Sequence, residues 1–351
     1  MEISGNYNRN TTLDAIKAFA IICVIFGHCI QFGSGADFLS SEAFFENPIF
    51  KTIYSFHMPL FMLISGYLFA HSVGKNRWYN VIFKKFRTLI IPILCWSILV
   101  YLKHSYSTLK SDASLFGVLK GYLNTCASQL WFLWAVFYCS STVAIIKRFF
   151  CDNKIIYIAL WIGTFFIPDN YVPAVYKYMY PYFVIGYFCG KSQDIISAAL
   201  LKNKKCIVGV LTVVFIGLLF LYSTDSFVYT SGYGIIRNRE VSFSQLVIDI
   251  YRFIIGLSGS ALVIILFKIA TPFFNKHKKP IYIIGSNTMG LYIISGYLNS
   301  NLLEKVTSEL TGLNIAYTII ESAIILTLSI ALCFIIKKYK LPRKVLLGDI
   351  S

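Results

Sequence analysis

Ten apolar segments follow one another along the chain, at residues 13–32, 50–70, 88–102, 129–146, 155–168, 173–190, 206–222, 245–267, 281–299 and 314–336. Most reach the ~20 residues that a helix needs to cross the hydrocarbon core of a bilayer. Inside lipid every backbone N–H and C=O must find a partner within the structure, so segments of this kind fold as helices. The chain therefore reads as an all-α polytopic membrane protein with about ten transmembrane helices. Composition agrees: 57% of the 351 residues are hydrophobic and 14% are charged, where a soluble domain carries about 25% charged residues. No stretch is polar enough for a second soluble domain. Residues 1–340 read as one membrane domain and 341–351 as a cytoplasmic tail. The first segment lacks a small-residue cleavage site at its end, so it reads as a retained helix.

The net charge of +16 raises the question of nucleic acid. The basic residues sit in short loops between apolar segments, where the positive-inside rule places them, and a nucleic-acid partner is rejected. With the N-terminus in the cytoplasm, 22 lysines and arginines fall in inner loops and 7 in outer loops. That asymmetry predicts a cytoplasmic N-terminus and C-terminus, inner loops at 71–87 and 268–280, and outer loops at 103–128 and 223–244. The nine cysteines lie mostly inside apolar runs and show no CxxC spacing. Neither a metal site nor a disulfide framework is indicated.

The first segment also carries ionisable residues. Lys17 and His28 are 11 residues apart. On an α-helix that is ~20° past three full turns and ~16 Å of rise, so the two share one face. Asp14 stands one turn before Lys17, at pairing distance. Ionisable groups within a spanning helix are costly and face a cavity, a partner or a pathway. By position along their segments, His28, His57, Asp249, Arg252 and Glu321 fall at similar depth in the outer part of the membrane. They are expected to enclose a common polar cavity. Asp249 and Arg252, one turn apart, could satisfy one another. On the inner side, Lys17 together with Lys84 and Arg87 at the entry to the third segment could grip phosphates.

These residues sit in recognisable motifs. Leu13-Asp14-Ala15-Ile16-Lys17 with His28 resembles the first-helix signature of the acyltransferase-3 family of membrane acyltransferases. Phe56-His57-Met58-Pro59 through Ser65-Gly66-Tyr67-Leu68 resembles its second-helix motif. Lys84-Lys85-Phe86-Arg87 before Pro92 resembles its basic entry to helix three. Gln129-Leu130-Trp131-Phe132-Leu133-Trp134, Pro181-Tyr182-Phe183-Val184-Ile185-Gly186-Tyr187 and Gly285-Ser286-Asn287-Thr288-Met289-Gly290-Leu291-Tyr292 resemble helices four, six and nine. Two positions depart from the family pattern. The basic residue of the first helix is Lys17 where the family has arginine, and no histidine follows Tyr292.

The resemblance implies transfer of an acyl group, usually acetyl, from cytoplasmic acyl-coenzyme A to a hydroxyl of a cell-envelope or surface polysaccharide or its lipid-linked precursor. It implies a bacterial inner-membrane location and acetyl-coenzyme A as co-substrate, with no permanently bound cofactor. On this reading His28 is general base or acyl-carrying nucleophile. Glu321 or Asp249 orients or balances its imidazole, and His57 is a second candidate partner. Lys17, Asp14, Lys84 and Arg87 serve the donor. Arg252, Ser65 and Trp131 are the candidate substrate contacts. The rival reading is a transporter or flippase of a lipid-linked glycan, which buried charges and ten helices also suit. Release of free thiol from acetyl-coenzyme A distinguishes the two.

Overall fold

In a computed structural model, residues 10–35, 40–75, 77–105, 114–192, 203–237, 240–300 and 315–349 are described. Each of the ten apolar segments is helical. The helices are α1 (Thr11–Phe32), α2 (Pro48–Val73), α3 (Trp78–Lys85), α4 (Ile91–Ser105), α5 (Leu115–Ser128), α6 (Trp131–Phe149), α7 (Lys154–Thr164), α8 (Ala174–Lys191), α9 (Lys204–Phe220), α10 (Val228–Ser231), α11 (Phe243–Ile269), α12 (Thr271–Lys276), α13 (Lys278–Gly285), α14 (Thr288–Leu298), α15 (Ile315–Lys337) and α16 (Lys340–Leu347). Among the described residues, six helical stretches are long and apolar enough to cross a membrane: α1, α2, Trp78–Lys103, α6, α11 and α15. A two-residue antiparallel ladder interrupts the helices, pairing Ile236 with Val241 and Arg237 with Glu240.

Local chemistry explains several boundaries. The Asn10 side chain accepts from the Leu13 N–H and opens α1, the ordinary N-cap device. Asn153 and Ser114 cap α7 and α5 in the same way. Between α3 and α4 the helix widens into a π turn, Phe86–Ile90. Pro92 follows at once; it has no N–H to offer and its ring crowds the Thr88 carbonyl, so the ladder cannot continue unchanged. The ninth apolar segment is broken at Ser286 and Asn287, which separate α13 from α14.

Contacts divide the chain into two compact units, and three of the five divisions fall within α2, α11 and α15. The first comprises residues 1–64, 194–224 and 254–333. Within it α1 packs along α12, α13 and α14. Gly285 permits that approach: a Cβ there would run into the Asp14 backbone. Gly285→Leu is therefore expected to lower the yield of folded protein severely, read by size-exclusion profile in detergent. A profile like the wild type's would show that this approach is not required. On the loop side of this unit, Glu46 accepts from Lys51 and Thr224 at 2.8 and 2.7 Å. The Lys51 bond, then the Thr224 bond, holds its carboxyl below the usual range.

The second unit comprises residues 65–193, 225–253 and 334–351. Here α6 packs on α3 and α8, and α4 packs on α5 and α16. Gly66 and Gly190 are crossing points, since a Cβ at either would strike the backbone of Phe183 or of Tyr67. The Ser65-Gly66-Tyr67 motif thus has a packing function, with Ser65 half-buried beside it. Some of the segment read as a tail is helical: in α16 the Leu346 carbonyl accepts from the Trp96 indole at 2.9 Å.

Candidate active site

The first unit holds His28 and His57. α1 is unbroken from Thr11 to Phe32, so Lys17 and His28 keep their common face. Lys17 forms the expected pair with Asp14, 2.6 Å apart. Between Lys17 and His28 that face carries Ala20, Ile21 and Val24, all with 2% exposure or less. The strip is packed rather than open. His28 itself keeps accessible surface, whereas Gly27 and Cys29 beside it are buried.

Small residues on α1 let polar groups approach. A Cβ on Gly27 would press on the Tyr54 ring at 2.8 Å. Tyr54 in turn meets His57 edge-on, with centroids 4.7 Å apart. The His57 Nδ1 donates to the Ile53 carbonyl at 2.7 Å, which leaves Nε2 as the acceptor nitrogen. Gly33 has the same role farther along the helix: a Cβ there would collide with the Glu321 carboxylate. Glu321 is therefore seated against the end of α1, five residues past His28, ~7.5 Å along the axis. Cys29 lies within reach of the same carboxylate and donates to the Asn299 Oδ1 at 3.8 Å.

Among the described residues the His28 Nδ1, both Glu321 carboxylate oxygens and the Asn299 Nδ2 are buried without a hydrogen-bond partner. Buried polar atoms are nearly always bonded, so each exception calls for an explanation. Glu321 does not hydrogen-bond the imidazole. Asn299 and Tyr54 were not among the residues singled out from the sequence. Asn299 ends an apolar segment and is followed by Ser300 and Asn301, a pattern that reads as the exit into a loop.

Asp249 and Arg252 belong to the second unit and form their own network, with Arg252 1% exposed. They do satisfy one another, at 2.8 Å. Arg252 also donates to the carbonyls of Ser226, Gly232, Asp225 and Phe227 at 2.8, 2.6, 2.7 and 3.0 Å, and to Ser231 Oγ. Asp249 accepts from Gly234 N–H at 2.8 Å and from Gln245 at 3.0 Å. Every Arg252 nitrogen is thus engaged with protein, and the pair clamps residues 225–234. Of the five ionisable residues expected at one depth, His28, His57 and Glu321 belong to the first unit and Asp249 and Arg252 to the second. Lys84 and Arg87 are exposed in the second unit, while Lys85 is half-buried with its ammonium 5.5 Å from the Phe69 ring. Trp131 opens α6 after Leu130, which has φ of 51°, and its ring lies 6.2 Å from that of Tyr229. Among the described residues no cluster of His, Cys, Asp and Glu could hold a metal ion.

The family model of the acyltransferase domain, Acyl_transf_3, matches residues 10–338, which contain every residue of both networks. The chain belongs to the acyltransferase-3 family. It is similar to nodulation protein NolL of Sinorhizobium fredii (strain NBRC 101917 / NGR234), 30% identical over 206 residues, 57% of this chain and 54% of that one. It is also similar to NolL of Mesorhizobium japonicum (strain LMG 29417 / CECT 9101 / MAFF 303099), 30% identical over 190 residues, 52% of this chain and 48% of that one. The matched regions thus span about half the length of these relatives. No solved structure matches the chain. In this acyltransferase-3 chain Gly27, Gly33 and Gly285 have a physical task, which is to let α2, α15 and α13 approach α1.

Proposed function

We propose that this chain is a membrane O-acetyltransferase that moves an acetyl group from cytoplasmic acetyl-coenzyme A to a hydroxyl of an envelope or surface polysaccharide or its lipid-linked precursor. Family membership supports acyl transfer, and the observation that carries the mechanism is His28: a membrane-embedded imidazole with an unbonded nitrogen and accessible surface. The neutral ring takes the proton of the acceptor hydroxyl as that oxygen attacks the thioester carbonyl. The C–S bond breaks, and the departing thiolate takes the proton back from the ring. Glu321 balances the transient imidazolium through space, and water exclusion by the surrounding apolar residues strengthens that attraction. His57, with Nδ1 tied to a carbonyl, presents Nε2 as the second proton acceptor of the centre. Lys17, Lys84 and Arg87 are the cations proposed to serve the donor's phosphates.

Purified chain in proteoliposomes should release free thiol from acetyl-coenzyme A in proportion to acetylated oligosaccharide. Movement of a lipid-linked glycan with no thiol release would sink the reading. The donor side follows from the proposed orientation, with both termini cytoplasmic. In a background lacking the nine native cysteines, Lys276→Cys should react only after a membrane-impermeant reagent gains access to the cytoplasm. Tyr229→Cys should react from outside. Labelling of Lys276→Cys in intact cells would invert the topology and move the donor site with it.

A further inference from the structure

A cavity of about 700 Å³ lies in the second unit, with Arg77, Trp78, Tyr79, Lys147 and Arg148 in its wall. It stands at helix ends: Val73 closes α2, Arg77 and Trp78 open α3, and Lys147 and Arg148 lie in the last turn of α6. α3 packs on α6, so cations from both helices meet there. Gly74, just past α2, leaves room for the Lys147 ammonium, which lies 3.5 Å from where a Cβ would be. Among the described residues no acidic side chain lines the cavity, and no ion pair involves Arg77, Lys147 or Arg148. Asp152, nearby in sequence, is occupied elsewhere: it accepts from Tyr157, Tyr187 and Lys191, each at 2.8 Å.

Two exposed apolar stripes lead away from these cations. Tyr79, Phe83 and Phe86 follow one another at helical spacing on α3 and the π turn, and Tyr138, Ile145 and Phe149 do so on α6; such spacings put each set on one face. Both stripes border one seam, because Trp78 meets Phe149 and Phe86 meets Phe137, with ring centroids 5.7 and 6.4 Å apart. Cations at the helix ends, tryptophan and tyrosine beside them and an apolar seam beyond match the layering of an amphiphile in a bilayer. A cation at the end of α6 also favours that helix dipole, and inner-loop charge alone would explain scattered lysines. Neither accounts for three cations without a carboxylate partner, from two helices, around a cavity that shares Tyr79 with an exposed apolar stripe.

We propose that this cavity binds an anionic phospholipid, with Arg77, Lys147 and Arg148 on its phosphate and its acyl chains along the seam between α3 and α6. Basic pockets between spanning helices suit such headgroups, and arginine and lysine donors converging on one point suit a phosphate. The lipid bridges α3 and α6 and so stabilises their packing. The site is contained in the second unit and is independent of the proposed acyl transfer.

The full chain, delipidated in dodecyl maltoside, is titrated with phosphatidylglycerol and with phosphatidylcholine, and bound lipid is counted by native mass spectrometry. The choline of the second lipid neutralises its own phosphate, so wild type should bind the first phosphatidylglycerol about tenfold more tightly. Arg77→Gln/Lys147→Gln/Arg148→Gln should bring the two lipids to parity by weakening phosphatidylglycerol alone. Lys147→Gln by itself should lower the preference about threefold, which keeps the test open where the triple variant does not fold. Arg77→Lys/Lys147→Arg/Arg148→Lys should keep most of the preference, a result that damage to the fold would not give. Lys276→Gln/Lys278→Gln/Lys279→Gln, which removes the same charge from another loop, should leave it unchanged. Neither glycerophosphoglycerol, the headgroup without chains, nor adenosine diphosphate should displace the lipid at equal concentration. Parity in wild type would overturn the assignment, as would a full preference in both cavity glutamine variants. An equal loss in the Lys276 variant would make the effect diffuse surface charge, and displacement by either soluble phosphate would make the cavity a soluble-anion site; both overturn it as well.

Discussion

His28→Ala should abolish acyl transfer, lowering the rate at least ~10²-fold, the usual worth of a positioned general base, while the protein remains inserted and folded. The second half of that expectation comes from the hydrogen-bond pattern. The Nδ1 of His28 has no partner among the described residues, so truncation leaves no buried donor or acceptor stranded from that atom. His57 is the contrast: its ring donates to the Ile53 carbonyl, and its removal would expose that loss in stability as well as in rate. The measurement is acetylated product per folded protein, with thermal unfolding in detergent as the control. Normal product formation by a well-folded His28→Ala protein would remove His28 from the chemistry.

Arg252→Met should destabilise the second unit by about 3–5 kcal/mol, the cost of leaving a buried partner charge uncompensated. The substitution keeps the apolar stem but strands Asp249, which is 1% exposed. It also strips donors from the carbonyls of Asp225, Ser226, Phe227 and Gly232. A second anchor holds the same loop from the other side. Lys177 donates to the Tyr233 carbonyl at 2.7 Å and pairs with Asp169 at 2.7 Å. The expected readouts are a lower unfolding temperature and new protease cleavage between residues 225 and 235. Adding Asp249→Asn should recover some of the loss, because the stranded charge is then gone. An unfolding temperature and cleavage pattern like the wild type's would mean that the clamp does not hold this loop.

The ten helices were readable because hydropathy and helical period are local, and lipid admits no other backbone solution for such segments. The Lys17–Asp14 pair was readable for the same reason, since an i,i+3 spacing within one helix fixes its own geometry. Depth was less informative. Counting residues along each segment gives a height in the membrane and says nothing about which helices are neighbours. The hydrogen-bond partners of Asp249 and Arg252, all within residues 225–252, are likewise not given by depth.

What the sequence determined by itself was a membrane-embedded, all-helical chain of the acyltransferase-3 type, with an imidazole three turns beyond a lysine on its first helix. These properties depend on residue type and on separations of a few turns. What only the tertiary structure decided was which polar groups face one another across helices. Gly27 and Gly33 show why: each matters for the side chain it lets in, Tyr54 from α2 and Glu321 from α15. Asn299, the last residue of the ninth apolar segment, is fully buried beside Cys29. Arg252, a candidate substrate contact, holds the carbonyls of Asp225, Ser226, Phe227 and Gly232. Such partnerships link residues dozens to hundreds of positions apart. They are set by the complementary shapes of packed helices, a quantity that no local pattern encodes.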